Sequence, residues 1–64
     1  MRLTDFWQRM EQNLGPAYAR TWARDHHLAE LDDRTVVQAL EGGQNAKDVW
    51  RAVWRELELP LSER

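Results

Sequence analysis

The tripeptide Leu14-Gly15-Pro16 lets no regular element run through it. Glycine adopts the backbone conformations that end a helix, and proline lacks the N–H that would continue one. A second break, Gly42-Gly43, falls in the other half of the chain. The segments beside these breaks repeat their apolar residues with a helical period, so the breaks separate helices. Leu3, Phe6, Trp7, Met10 and Leu14 follow the i, i+3, i+4, i+7, i+11 spacing that gathers side chains on one face. Ala46, Val49, Trp50, Val53 and Leu57 follow it again. Beyond that pattern only Asp5/Asp48, Trp7/Trp50 and Leu14/Leu57 agree, which makes two amphipathic helices and not a duplication.

Four helices are expected. The first starts after Thr4, a good N-cap, with Asp5 in its first turn where the helix dipole favours negative charge, and stops at Gly15. The second opens on Pro16 and runs to His27 or Leu28. Tyr18, Ala19, Trp22 and His26 face inward, Arg20 and Arg24 outward, and Ala17, Ala19 and Ala23 allow another helix to approach. The stretch "LAELDDRT" connects to the third helix, with Leu28 and Leu31 as core plugs. Asp32 or Asp33 caps that helix, Arg34 to Glu41, whose Val36, Val37 and Leu40 point inward before Gly42 and Gly43 end it. Asn45 caps the fourth, with Asp48 in its first turn, and Pro60 closes it.

No stretch alternates apolar and polar residues between hairpin turns, so no strand is expected. The fold class is all-α, a compact bundle of four short helices in which helices 3 and 4 form a helix-turn-helix-like hairpin. Residues 1–60 make a single helical domain and 61–64 a frayed tail, with Leu61 anchored.

A chain of 64 residues buries only about 60% of its unfolded surface, so each core side chain carries weight. The expected core is Leu3, Phe6, Trp7, Met10, Leu14, Tyr18, Trp22, Val36, Val37, Leu40, Val49, Trp50, Val53 and Leu57. Four tryptophans are many for this length, and an aromatic core compensates for small size.

Without cysteine there is no disulfide framework, thiolate zinc site or thiol nucleophile, which fits a reducing, cytoplasmic setting. Charges interrupt every apolar stretch, so neither a signal peptide nor a membrane span is expected. His26 and His27, preceded by Asp25, invite a metal reading. Adjacent helical residues point about 100° apart, however, and no third histidine completes a set. Imidazoles at a helix C-terminus, favourably placed in the dipole, are the simpler account. The only hydroxyls are those of Thr4, Tyr18, Thr21, Thr35 and Ser62, each threonine near a helix start is more simply a cap or a polar neighbour, and "EGGQN" lacks the Lys-Ser/Thr ending of a phosphate loop. We expect no cofactor and no enzymatic activity.

Residues 35–57 share the outline of DNA-binding helix-turn-helix units, which an ordinary helical hairpin also has. The outer face of the fourth helix decides between them. There Lys47, Arg51 and Arg55 are balanced by Asp48, Glu56 and Glu58, and residues 25–64 carry a net charge of −4 against +2 for residues 1–24. Such a surface has little net attraction for phosphates. Trp54 falls about 80° from the centre of its helix's apolar stripe, at the margin where tryptophan is common in protein interfaces. The candidate partner surface is therefore Arg34, Thr35, Lys47, Arg51, Trp54 and Arg55. The chain reads as a protein-interaction module, with a small DNA-binding helix-turn-helix protein as the alternative. A monomer or a weak homodimer with edge tryptophans paired across a two-fold axis is expected.

The blocks "MRLTDFW", "WARDHHL", "RTVVQALEGG" and "KDVWRAVWRELELP", in this order, resemble a family of very short proteins of high-GC Gram-positive bacteria, a domain of unknown function. The resemblance runs from Met1 to Pro60 and carries no activity, ligand or catalytic residue with it. The family's loop before the third helix more often reads Leu-Gly-Gly-Arg-Thr, where this chain has Leu31-Asp32-Asp33-Arg34-Thr35. Its counterpart of Trp54 is often small, frequently cysteine, which leaves Arg34, Thr35, Trp50 and Arg51 as the features the resemblance shares. Family genes often lie near those of the general recombinase and its inhibitor, which associates the family with DNA repair or recombination.

Overall fold

The computed structural model describes residues 1–64. The chain is mostly helical: α1 Leu3–Leu14, α2 Pro16–Asp25, α3 Val36–Glu41 and α4 Ala46–Glu56. Between α2 and α3 lie two short strands, β1 His27–Leu28 and β2 Arg34–Thr35, joined through a 3-10 turn at Ala29–Leu31. A second 3-10 turn, Leu61–Glu63, follows α4. No helix is long and apolar enough to cross a membrane.

Helix α1 begins one residue before Thr4. Arg2 is its N-cap, and the Asp5 carboxylate accepts a long hydrogen bond from the Arg2 backbone N–H at 3.4 Å. Gly15 joins α1 to α2 alone. Its N–H donates to the Glu11 carbonyl at 2.8 Å, and its own carbonyl accepts from Ala19 N–H at 2.9 Å. It does so at φ +86°, a value an L side chain rarely adopts, although a Cβ there would meet nothing within 4 Å. The glycine is required by its dihedral and not by space.

Helix α2 stops at Asp25, short of the expected end at His27 or Leu28. His26 turns to φ −88°, ψ 123°. His27 and Leu28 then pair antiparallel with Thr35 and Arg34, so the chain is not purely helical as expected. A pair two residues long leaves no alternation for the sequence to display. The reversal between the strands uses Asp32 and Asp33, both at positive φ (58° and 62°). Neither aspartate caps α3. Thr35 does, by a reciprocal capping box: its Oγ1 accepts from Gln38 N–H at 3.1 Å, and Gln38 Oε1 accepts from Thr35 N–H at 2.9 Å. Helix α3 therefore starts at Val36, two residues later than Arg34.

Helix α3 ends in a Schellman motif: Gly43 N–H donates to the Leu40 carbonyl and Gln44 N–H to the Ala39 carbonyl. Asn45 then caps α4, its Oδ1 accepting from Asp48 N–H at 2.9 Å. At the far end of α4 the same motif recurs, with Glu58 N–H to the Arg55 carbonyl and Leu59 N–H to the Trp54 carbonyl.

One cluster of buried side chains ties these elements together: Phe6 and Met10 from α1, Ala19, Trp22 and Ala23 from α2, Leu28, Leu31, Val36 and Ala39 from the middle, and Val49, Trp50, Ala52 and Val53 from α4. The Phe6 ring meets Trp50 edge to face at 6.2 Å between centroids, an arrangement aromatic quadrupoles favour. Trp7, Leu14, Val37, Leu40 and Leu57 are only partly buried, packed against this cluster. Two expected core residues are exposed. Leu3 is 53% exposed: it shares the stripe of Phe6 and Met10 but lies in the opening turn of α1, which no neighbouring element covers. Tyr18 is 57% exposed because it projects roughly 90° from the Ala19–Trp22–Ala23 stripe.

Residues 60–63 lie against α1 and α4 instead of extending as a tail. The Trp50 Nε1–H donates to the Glu63 carbonyl at 2.8 Å and the Trp54 Nε1–H to the Pro60 carbonyl at 2.9 Å. Asn13 Nδ2 donates to Glu63 Oε1 at 3.2 Å, and the Arg9 guanidinium approaches the Glu63 carbonyl at 3.4 Å. An indole buried along its body needs an acceptor for its N–H, and two such indoles draw the segment down. Leu61, expected as the anchor, is 73% exposed.

Candidate functional site

The six candidate surface residues come from two elements, β2 and α4, and divide by what already engages them. Thr35 is not a surface residue at all. It is 3% exposed, its hydroxyl consumed by the cap of α3. Arg34 folds back on its own loop, donating from Nε to the Leu31 carbonyl at 3.1 Å and from NH2 to the Asp32 carboxylate at 3.3 Å. Arg55 reaches across to Glu30, NH1 to Oε2 at 2.9 Å, and so fastens α4 to the 3-10 turn after β1.

Lys47, Arg51 and Trp54 remain. Lys47 is exposed and Arg51 half-buried, and neither side chain takes part in a hydrogen bond or ion pair with the rest of the protein. They lie one turn apart on α4, on the same side. Trp54, three residues beyond Arg51, is half-buried: part of its ring packs on the core cluster and its N–H is held by Pro60. The unengaged cations thus stand beside an aromatic edge. Their anionic neighbours on α4 are partly committed, Asp48 to Asn45 and Glu56 to His26.

The histidine pair is separated by the end of α2. His26 stacks on Trp22, with 4.7 Å between ring centroids and 12° between planes, and its Nε2 contacts Glu56 Oε2 at 3.0 Å. His27 is exposed on β1. Nowhere do three or more His, Asp and Glu side chains converge. Two surface depressions are present, one lined by Met1, Asp5, Gln8, Arg9 and Gln12 and one by Tyr18, Thr21, Trp22, Asp25 and His26. Neither includes any of the six candidate residues.

Sequence reasoning missed the clasp between Trp50, Trp54 and residues 60–63, together with its second wall, Arg9 and Asn13 on α1. The available signal was the pair of indoles at i, i+4, each with a donor to satisfy. Nothing in the local pattern of α1 pointed to Asn13.

This architecture is a small, mostly helical domain built on a single hydrophobic core. The chain matches, over residues 1–62, the family described as protein of unknown function DUF3046, and it belongs to that family. Compared with curated proteins and with solved structures, it finds no match.

Proposed function

We propose that the protein is a non-enzymatic, cytoplasmic interaction module that binds a protein partner through the outer face and edge of α4. The observation that carries this reading is Arg51, a half-buried residue whose guanidinium has no hydrogen-bonding partner, three residues from the half-buried Trp54. Arginine and tryptophan at the margin of a core are the residue types that anchor protein interfaces, and a partner carboxylate would complete the guanidinium bidentately. Lys47 extends the same cationic side. The genomic association implied by the family resemblance favours a partner in DNA repair or recombination.

The alternative is a DNA-binding helix-turn-helix protein in which α3 and α4 form the hairpin and α4 enters the major groove. The Gly42-Gly43 turn favours it. The engagement of Arg34 with Asp32 and of Arg55 with Glu30 weighs against it, since of the four cations in the candidate surface only Lys47 and Arg51 are left without an ion pair.

Crosslinking and pull-down from the native cell, with wild type beside Arg51→Glu, tests the first reading. The recovered partners should change while the circular dichroism spectrum does not, and an unchanged partner set means the surface is elsewhere. Titration with duplex DNA tests the alternative: a salt-sensitive shift centred on Lys47, Arg51 and Arg55 would make nucleic acid the primary ligand. Light scattering decides between a monomer and a pair of copies in contact through this edge.

A further inference from the structure

We infer that the shallow depression along α2, lined by Tyr18, Thr21, Trp22, Asp25 and His26, binds an arginine side chain of a partner protein. The site shares no residue with the outer face of α4, so the two surfaces stand or fall separately.

The spacing on α2 makes the site. Tyr18, Thr21, Trp22 and Asp25 follow i, i+3, i+4 and i+7, which lines them up along two turns, or about 10 Å of helix. His26 leaves the helix at ψ 123° and lays its ring parallel on Trp22, 4.7 Å between centroids, so a third aromatic ring joins the same wall. The volume is about 190 Å³. Pockets for drug-sized ligands start at roughly 300 Å³, so this one has room for a side chain and not for a nucleotide or a cofactor.

The polar groups say which side chain. Asp25 brings a full negative charge: its Oδ1 meets Arg24 Nε at 3.3 Å, both side chains being mostly exposed, and its Oδ2 has no partner. That carboxylate is the last residue of α2, where the helix dipole opposes negative charge. The stability of α2 gives no reason for it, and a cation brought to it does. The Glu56 carboxylate can only accept, so its 3.0 Å contact puts a proton on His26 Nε2 and leaves Nδ1 of the neutral ring as an acceptor. Tyr18 is 57% exposed, and its hydroxyl and that of Thr21 are free of protein partners. Trp22 is only 7% exposed, yet its N–H has no acceptor in the protein, unlike those of Trp50 and Trp54, and is not sealed from solvent.

A guanidinium answers this set. It carries five N–H donors and no acceptor, and its flat faces stack on aromatic rings. Asp25 and His26 Nδ1 take its donors, the aromatic wall takes its face, and the main-chain carbonyl of the same arginine supplies the acceptor that the Trp22 N–H lacks. A lysine ammonium matches the charge but has no face to stack, and the Asp25 carboxylate repels a phosphate or carboxylate ligand.

The test titrates the 15N-labelled full chain with the capped tripeptide Gly-Arg-Gly and with its citrulline counterpart, which keeps the shape and removes the charge. The Trp22 indole N–H signal should move saturably while those of Trp50 and Trp54, already held by carbonyls, stay still. The citrulline peptide should bind at least several-fold more weakly. Asp25→Asn should leave the thermal midpoint no lower and abolish the difference between the two peptides. A Trp22 signal that does not move at millimolar peptide, equal binding of both peptides, or a preference that survives Asp25→Asn overturns the proposal. So does a concentration-dependent rise in mass without peptide that Asp25→Asn removes, which makes an arginine of a second copy the occupant. Failure here with an altered partner set for Arg51→Glu removes this site and leaves the outer face of α4 standing.

Discussion

Glu58 occupies after α4 the place that Gly43 occupies after α3. Each is the residue that turns left-handed in a Schellman motif, Gly43 at φ 95° and Glu58 at φ 52°. A side chain in that conformation costs about 1–2 kcal/mol, offset in part by the roughly 0.5–1 kcal/mol of extra unfolded-state freedom that glycine brings. Glu58→Gly is therefore expected to raise stability by about 0.5–1 kcal/mol and the midpoint of thermal unfolding by roughly 2–8 °C. Gly43→Ala should lower both. Thermal and urea unfolding followed by circular dichroism measure the two variants.

Asp33 presents the same strain in the loop between β1 and β2, at φ 62°, and its exposed side chain makes no hydrogen bond. Asp33→Gly should stabilise by about 0.5–1 kcal/mol, and Asp33→Val, β-branched and intolerant of that conformation, should destabilise by more. The glycines that the family resemblance carries at positions 32 and 33 suit this geometry. An increase in the urea midpoint for glycine and a decrease for valine is the expected pair of outcomes.

Thr35 combines burial with the capping box of α3. Thr35→Ala leaves the Gln38 N–H without its acceptor and should cost about 1–2 kcal/mol, whereas Thr35→Ser keeps the cap and loses only a buried methyl. If the serine variant is as unstable as the alanine variant, the cap is not what Thr35 contributes.

The Arg20 guanidinium carbon lies 4.0 Å from the centroid of the Trp7 ring, much nearer than Arg9 to Trp50 at 5.9 Å or Arg64 to Trp54 at 5.7 Å. Arg20→Ala should cost about 0.5–1 kcal/mol through the lost cation–π contact. Arg20→Lys should lose less. A double cycle with Trp7→Leu isolates the pairwise energy, and a coupling near zero would assign the loss to helix packing alone.

Trp50 and Glu56 mark the two extremes on α4. Trp50, 1% exposed and packed on Phe6, should cost about 3–5 kcal/mol when cut to alanine. That is most of the stability of a domain this small, so Trp50→Ala should lack a cooperative unfolding transition at 25 °C. Glu56 pairs with His26 where both side chains are about two-fifths exposed, 42% and 41%. Glu56→Gln should shift stability by less than about 1 kcal/mol, because a contact between two solvent-exposed side chains gains little over their contacts with water.

Much of the fold was legible because its signals act within one or two turns. The glycine and proline breaks, the stripe through Phe6 and Met10, the Asn45 cap and the core plugs Leu28 and Leu31 all depend on near neighbours. The Thr35-Val36-Val37-Gln38 capping box is equally local, although aspartate ranks above threonine as an N-cap and Asp32 and Asp33 precede it. The candidate surface was legible only as far as charge and helical angle carry. Those place Lys47 and Arg51 on the outer face of α4 and Trp54 at its margin, but they do not reveal that Arg34 and Arg55 are already paired.

By itself the sequence determined that four helices form, where α1 and α3 end and α2 and α4 begin, which faces are apolar, and that one core must serve the whole chain, because propensity, capping and periodicity are properties of short stretches. Only the tertiary structure decided which apolar residues find cover. Phe6 does and Leu3 does not, though both lie on one stripe. It also decided that residues 60–63 lie against α1 and α4. The Asn13–Glu63 and Trp50–Glu63 hydrogen bonds join positions 50 and 13 residues apart. Such contacts form only once packing has brought their donors and acceptors together, and no local signal specifies that meeting.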